Sequence, residues 1–417
     1  MQSAADLDLP HLAMEEPAFA EDPFSRFAAA RQAHPWLAKS AFGYVVTDYS
    51  AIKDLLGMDG PLRTAHDGVA EIMGATGSPW GRFLVEQVLG QSGTSHKRMR
   101  DALAPMFTPR NANRHRPLMR EVISHQLDEW APRGAFDFEE FSSYFPVTVM
   151  CSLIGADREA IPRLRASMEA LGLAMCLDPE HLPAMERGTQ VMDDFVHELV
   201  AERRARGPSA DEPDLLDLLL AADHDGGLSD RELYDLLIFL FVAGYDTSKN
   251  VLTLTMRLML DRPGDYVRCA QDKAYCGKVL EESLRFHSPA TIPRLSTKDI
   301  VYRDVLFPAG TMFFMPVGVA TRDPRAVPDA EAFQPERPQE NRHMGFGRGM
   351  HICLGQFIAR AQIEEGLHLI AQRITKPKLA GPMAFRPFPG VWGIRGLPIE
   401  FTPAPAVRND AVPEPVN

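Results

Sequence analysis

Between Ser229 and Pro263 the chain carries the pattern of one uninterrupted helix, and that element limits the fold more than any other feature of the sequence. Ser229 and Glu232 make an S-x-x-E capping box, in which the hydroxyl satisfies a free amide of the first turn and the glutamate reaches back to the cap. Pro263 lies just beyond the other end, where a helix cannot readily continue. About 33 residues at 1.5 Å each give a rod of roughly 50 Å, long enough to cross the molecule. No residue between Leu236 and Tyr245 is charged. A helix that is apolar all round is buried, so the sequence predicts a rod through the core with the remaining chain folded about it.

The rest of the pattern agrees with a mainly α (α+β) protein. Periodic apolar positions mark helices in Phe24–Gln32, Leu118–Trp130 and Val191–Arg206, with Phe42–Val46 as an early strand. Beyond about residue 290 the pattern shifts to short β-branched runs, Ile300–Leu306 and Thr311–Val317, separated by a turn at Pro308-Ala309-Gly310. No fixed-period repeat or Gly/Ser linker divides the chain. The expected organisation is therefore an N-terminal extension (1–19), one large domain (20–402) and a Pro-rich, disordered tail (403–417).

Composition narrows the function. A formal net charge of −12 makes a general nucleic-acid binder a poor fit, because phosphate neutralisation needs a basic surface. The five cysteines, Cys151, Cys176, Cys269, Cys276 and Cys353, are odd in number and include no C-x-x-C pair, so neither a disulfide framework nor a zinc site is indicated. No basic-then-apolar leader and no long apolar span occurs, and the expected location is the cytoplasm without a membrane anchor.

One cysteine has a distinctive setting. Phe346-Gly347-Arg348-Gly349-Met350-His351-Ile352-Cys353-Leu354-Gly355 reads F-x-x-G-x-x-x-C-x-G and is followed by the helical run Gln356–Ile370. Given how rare Cys and Phe are, such a match arises by chance in under about 1% of chains of this length. A cysteine in a Gly-rich turn is ordinarily a buried structural residue, but the complete motif outweighs that reading. The segment resembles the haem-binding signature of the cytochrome P-450 family. The resemblance implies the family's single helix-rich fold, with a long central helix and a small β region, and a haem b (iron protoporphyrin IX) whose iron Cys353 ligates. A thiolate in that position pushes electron density toward a trans oxygen ligand. Gly349 and Gly355 are expected to allow close approach to the macrocycle, and Phe346 to shield the sulfur from water.

Other family landmarks occur in order. Glu282 and Arg285 form E-x-x-R, and with Arg337 they resemble the family's structural Glu-Arg-Arg triad. Ala243-Gly244-Tyr245-Asp246-Thr247, in the middle of the long helix, resembles the A-G-x-D-T oxygen-activation motif. The resemblance makes Thr247 a hydrogen-bonding group at the oxygen site and Asp246 its link to solvent protons. His96 and Arg100, as H-x-x-x-R, together with Arg294 and His351, fall on positions that bind the haem propionates; a buried carboxylate needs such partners. Two departures stand out: Gln91–Ser95 lacks the usual acidic and proline residues, and Thr321 replaces a usual Asn.

No dinucleotide fingerprint follows a strand, so electrons must come from another protein. Basic residues cluster from Lys97 to Arg120 around a single acid, Asp101, and Arg348 lies in the cysteine loop. This resembles the face on which family members dock a ferredoxin, with Lys97, Arg98, Arg110, Arg114 and Arg348 as its contacts on a monomer. By family position the substrate pocket is lined by Leu240, Val242, Ala243, Thr291, Ile292, Val391 and Trp392, mostly apolar residues that suit a small or medium hydrophobic molecule. The expected activity is monooxygenation, hydroxylation or epoxidation, with O2. Two alternatives are a peroxide-driven oxidase, which would not need Asp246 and Thr247, and a non-catalytic haem-thiolate gas sensor.

Overall fold

The rod runs from Asp230 to Leu260, 31 residues, with the Ser229–Glu232 capping box formed in both directions. The computed structural model describes residues 2–209, 213–224, 227–338 and 343–405. The helix Phe138–Ile154 packs along the central rod, and a buried hydroxyl pair, Ser142 Oγ and Thr253 Oγ1 at 2.7 Å, joins the two. Helices Leu182–Arg206, Lys273–Phe286 and Gln356–Arg373 complete most of the surrounding layer. The first of these begins well before the apolar pattern does, because Pro183 in its first turn supplies a preset start that periodicity does not register.

A five-stranded sheet flanks the helices in the order Leu37–Ser40, Gly43–Val46, Met312–Pro316, Thr291–Ser296 and Leu62–Thr64. In its last ladder Thr64 stands opposite Arg294 and Leu62 opposite Ser296. The run Ile300–Leu306, read from sequence as one strand, is instead a hairpin of Ile300–Tyr302 and Val305–Phe307. Arg303 and Asp304 turn it with φ of 50° and 62°. Two successive left-handed residues define the tight turn that matches strand twist, and neither is the glycine that would have announced it.

The ends of the chain differ from the sequence reading. The N-terminal extension packs onto the domain: Gln2 and Ser3 pair in parallel with Val305 and Leu306, and Leu12, Met14 and Phe19 are buried. At the other end Pro403 closes the strand Pro398–Pro403, opposite Ile374, so the tail expected from 403 begins inside a strand. Residues 406–417 lie outside the described residues. Among the described residues no helix is long and apolar enough to cross a membrane.

Candidate active site

The cysteine loop closes on itself through the Cys353 amide, which donates to the Phe346 carbonyl at 2.8 Å. Gly347 and Gly349 within it have φ of +71° and +75°. A Cβ on Gly349 would lie 2.7 Å from the Leu56 carbonyl oxygen, so a larger residue is excluded twice over. At Gly355 the φ of −74° is ordinary, and its amide is directed at the sulfur at the start of helix Gln356–Arg373. Burial pushes the Cys353 thiol up, while the Gly355 amide, Arg100, Arg360 and the Gln356 amide act in the opposite direction. Those groups favour a thiolate.

Cys353 lies in the wall of a cavity of about 350 Å³. The central helix supplies a second wall through Leu240, Ala243, Gly244, Thr247, Ser248 and Val251, positions three and four apart that share one helix face. Thr291, Ile292, Phe346 and Gly355 also line it, as do Met150, Met175, Val88 and Leu89. Val242, Val391 and Trp392 do not: Val242 falls between the lining positions of the helix, and Trp392, whose amide bonds to the lining residue Pro289, directs its indole N–H to the Ala20 carbonyl at 2.9 Å. Val391 instead bridges to Ala290 through its backbone.

At the polar end of the cavity His96, Arg100, Arg294 and His351 converge. The rings of His96 and His351 are 4.2 Å apart, and Arg100 donates to the Ile352 carbonyl at 2.5 Å. His96 Nε2 and His351 Nδ1 are buried without a partner. A buried polar atom left so costs about 1–3 kcal/mol, and no carboxylate side chain lines this cavity. A guest with an apolar body and anionic groups at one end, as haem has, fits these donors and the thiol. His66, which no motif singled out, lines the same end with its Nδ1 also unpartnered.

Thr247 Oγ1 donates to the Ala243 carbonyl at 3.0 Å, and its side chain faces the cavity. Asp246 faces away from it. The carboxylate is 2% exposed, pairs with the buried Arg386 guanidinium and accepts from Asn250 Nδ2 at 3.3 Å. Burial raises its pKa, opposed by Arg386 and Lys249. Asp246 Oδ2, Asn250 Oδ1 and Arg386 Nε and Nη2 remain unpartnered, a group of buried polar atoms that calls for ordered water. Lys249, fully buried, bridges Glu139 and Glu169 at 2.6 Å each, and Tyr245 donates to the same Glu169. Sequence reasoning missed Arg386, Lys249 and Glu169. A lysine three residues from Asp246 gives a hint on the helix, but Arg386 is 140 residues distant.

The triad residues are brought together. Arg285 grips Glu282 bidentately at 2.7 and 2.8 Å and donates to the carbonyls of Thr321, Ala330 and Ala332. Arg337 reaches Glu282 at 3.5 Å and the Asp329 and Ala332 carbonyls at 2.9 and 2.8 Å. Thr321, the departure from the usual Asn, uses its hydroxyl to hold the Arg285 carbonyl at 2.7 Å. The neighbouring Glu281 ties this helix to the cysteine loop, through His343 Nε2 at 2.9 Å and Arg360 Nε at 2.6 Å.

The basic cluster is partly neutralised. Lys97 pairs with Asp101, and Arg98 pairs with Glu232 of the capping box. Arg116 is held by Glu364 and Glu365 at 2.9 Å. Arg110, Arg114 and Arg348 are exposed.

Comparison with known proteins gives one family. The family model "Cytochrome P450" matches residues 167–375. Luteothin monooxygenase of Streptomyces thioluteus is 32% identical over 400 residues, covering 94% of this chain and 96% of that protein. The 6-deoxyerythronolide B hydroxylase of Saccharopolyspora erythraea is 28% identical over 315 residues, covering 74% of this chain and 76% of that protein. The solved structure of epothilone B-bound cytochrome P450epoK superposes with a TM-score of 0.84 at 22% identity, covering 94% of this chain and all of that one.

Proposed function

Since the chain belongs to the cytochrome P450 family and is a monooxygenase of it, we propose that it holds haem b on Cys353 and oxidises a small or medium hydrophobic organic molecule, by hydroxylation or epoxidation, with electrons from a ferredoxin and its reductase. The observation that carries this reading is the Cys353 thiol in one wall of a cavity, apolar over most of its lining, whose other wall is the Ala243–Thr247 stripe of the central helix. Bound there, the haem supplies the activation of dioxygen, one atom going to the substrate and the other to water.

The chain's own residues do the rest. Gly355, Gln356 and Arg100 stabilise negative charge on the sulfur, which sets the haem's electron-donating strength. His96, Arg100, Arg294 and His351, gathered at one end of the cavity, would receive the haem carboxylates. Thr247 presents its hydroxyl to the cavity. Asp246, behind it, would link Thr247 to solvent protons through its carboxylate, whose Oδ2 is left without a partner. Leu240, Ala243, Thr291, Ile292 and Met175 offer apolar surface, with no charged side chain to hold an ionic substrate at that end. Relatives named for luteothin, mycinamicin IV and 6-deoxyerythronolide B support an organic small molecule as the class.

Reconstitution with a ferredoxin and its reductase tests the reading. NADPH consumption coupled to an oxygenated product from a panel of apolar compounds is expected. Equal turnover with hydrogen peroxide alone favours a peroxide-driven oxidase, and haem binding without any product favours a gas sensor.

A further inference from the structure

The polar end of the cavity holds a third histidine that the family motifs do not mark. His66 is 6% exposed, lines the cavity and has its Nδ1 buried with no hydrogen-bond partner. Its position follows from the sheet. Thr64 stands directly opposite Arg294 in the ladder between Leu62–Thr64 and Thr291–Ser296. His66 therefore emerges two residues past the cross-strand partner of Arg294, as the first residue of helix His66–Ile72. The turn is pinned on both sides: Arg63 grips Asp67 with two bonds of 2.6 Å, and Thr64 Oγ1 donates to the Gly90 carbonyl at 3.3 Å. The His66 side chain itself is buried, and a buried ring nitrogen without a hydrogen-bond partner calls for one.

The surroundings define that partner. Arg294 is close enough to act on the His66 imidazole, and His66 in turn on His351, and the three line one end of the cavity. Burial and Arg294 hold the His66 imidazole neutral, with its pKa near 3, so it adds a hydrogen-bonding group without adding a charge. Asp59 and Asp67 stand behind this end, but among the described residues no carboxylate lines it, and His66, His96, Arg100, Arg294 and His351 present donors or cations to it. The guest group must be an anionic acceptor.

We infer that His66 is a binding residue for a haem carboxylate, shared with Arg294, and that it anchors the segment following residue 65 to the cofactor. This rests on the haem-thiolate reading given above. Its consequence is that the segment running from His66 to Leu89, whose far end lines the cavity, is fixed to the cofactor at its beginning.

Transfer of haem from the holoprotein to apomyoglobin, with resonance Raman detection of the propionate-bending band, tests it. His66→Leu is expected to release haem about tenfold faster than wild type, the loss of a hydrogen bond to a charged group, and to shift the band. His66→Asn, which keeps an N–H donor, is expected to recover much of the difference. His66→Phe, which fills the space without a donor, takes the place of His66→Leu if the latter does not fold. Wild-type release and an unchanged band in the donor-lacking variant, with its reduced carbon monoxide spectrum still of thiolate type, would overturn the inference and leave the haem reading standing. A wild-type protein with no thiolate-type spectrum would overturn the haem reading itself.

Discussion

At the scale of single residues, the site separates what faces the cavity from what stands behind it. Thr247 presents a hydroxyl to the cavity, whereas Asp246, one residue earlier, is turned into a buried ion pair with Arg386. Replacing Thr247 by Ala removes the hydroxyl without touching that pair. The expected result is a several-fold fall in product formed per NADPH with a matching rise in released peroxide, measured in the reconstituted system; unchanged coupling would exclude Thr247 from proton handling. The ion pair behind it also bears on stability. Arg386→Met leaves the Asp246 carboxylate buried without its cation, which costs about 3–5 kcal/mol and should lower the thermal midpoint markedly. Adding Asp246→Asn should restore much of that loss, because the uncompensated charge is then gone.

At the scale of elements, the cysteine loop is held from two sides, by its own glycines and by the helix Lys273–Phe286. Glu281 is the link on that helix. Burial pushes its carboxyl up, but the hydrogen bonds from His343 and Arg360 overcome this and hold it near 2, against an ordinary value of 4.5. Because the folded value is the depressed one, the link contributes stability above about pH 4.5 and loses it as pH falls toward 2. Glu281→Gln should cost roughly 1–3 kcal/mol at neutral pH and should flatten the acid limb of haem retention over that window; an unchanged limb in an absorbance titration would contradict it. Much of this layer was legible in the sequence, since capping boxes, glycines and 3.6-residue periodicity are local signals. The rod from Ser229, the Glu282–Arg285 grip and the cysteine loop could all be read that way. The Arg303-Asp304 turn could not, as neither residue advertises a left-handed backbone. Arg386, His66 and Glu281 were invisible for another reason: each acquires its partner only through tertiary contact over a long sequence separation. Trp392 and Val391 were placed in the pocket by family position; their backbones pair with the lining residues Pro289 and Ala290, while the indole N–H is directed to Ala20.

At the scale of the whole molecule, an acidic chain presents a local basic surface whose charges are unequally available. Arg98 is committed to Glu232, so Arg98→Ala should weaken the start of the central helix and lower thermal stability with little change in the KM for ferredoxin. Arg110→Glu and Arg114→Glu, at exposed positions, should raise that KM and reduce its dependence on ionic strength, as steering by surface charge requires. Equal effects of all three would mean that docking lies elsewhere. All of these expectations depend on haem held by the Cys353 sulfur. The most direct test is the absorption spectrum of the purified protein, reduced with dithionite and exposed to carbon monoxide. The strongly red-shifted Soret band of a thiolate ligand, absent in Cys353→Ala, is the predicted result; no haem band, or the unshifted band of a histidine-ligated haem, would contradict it.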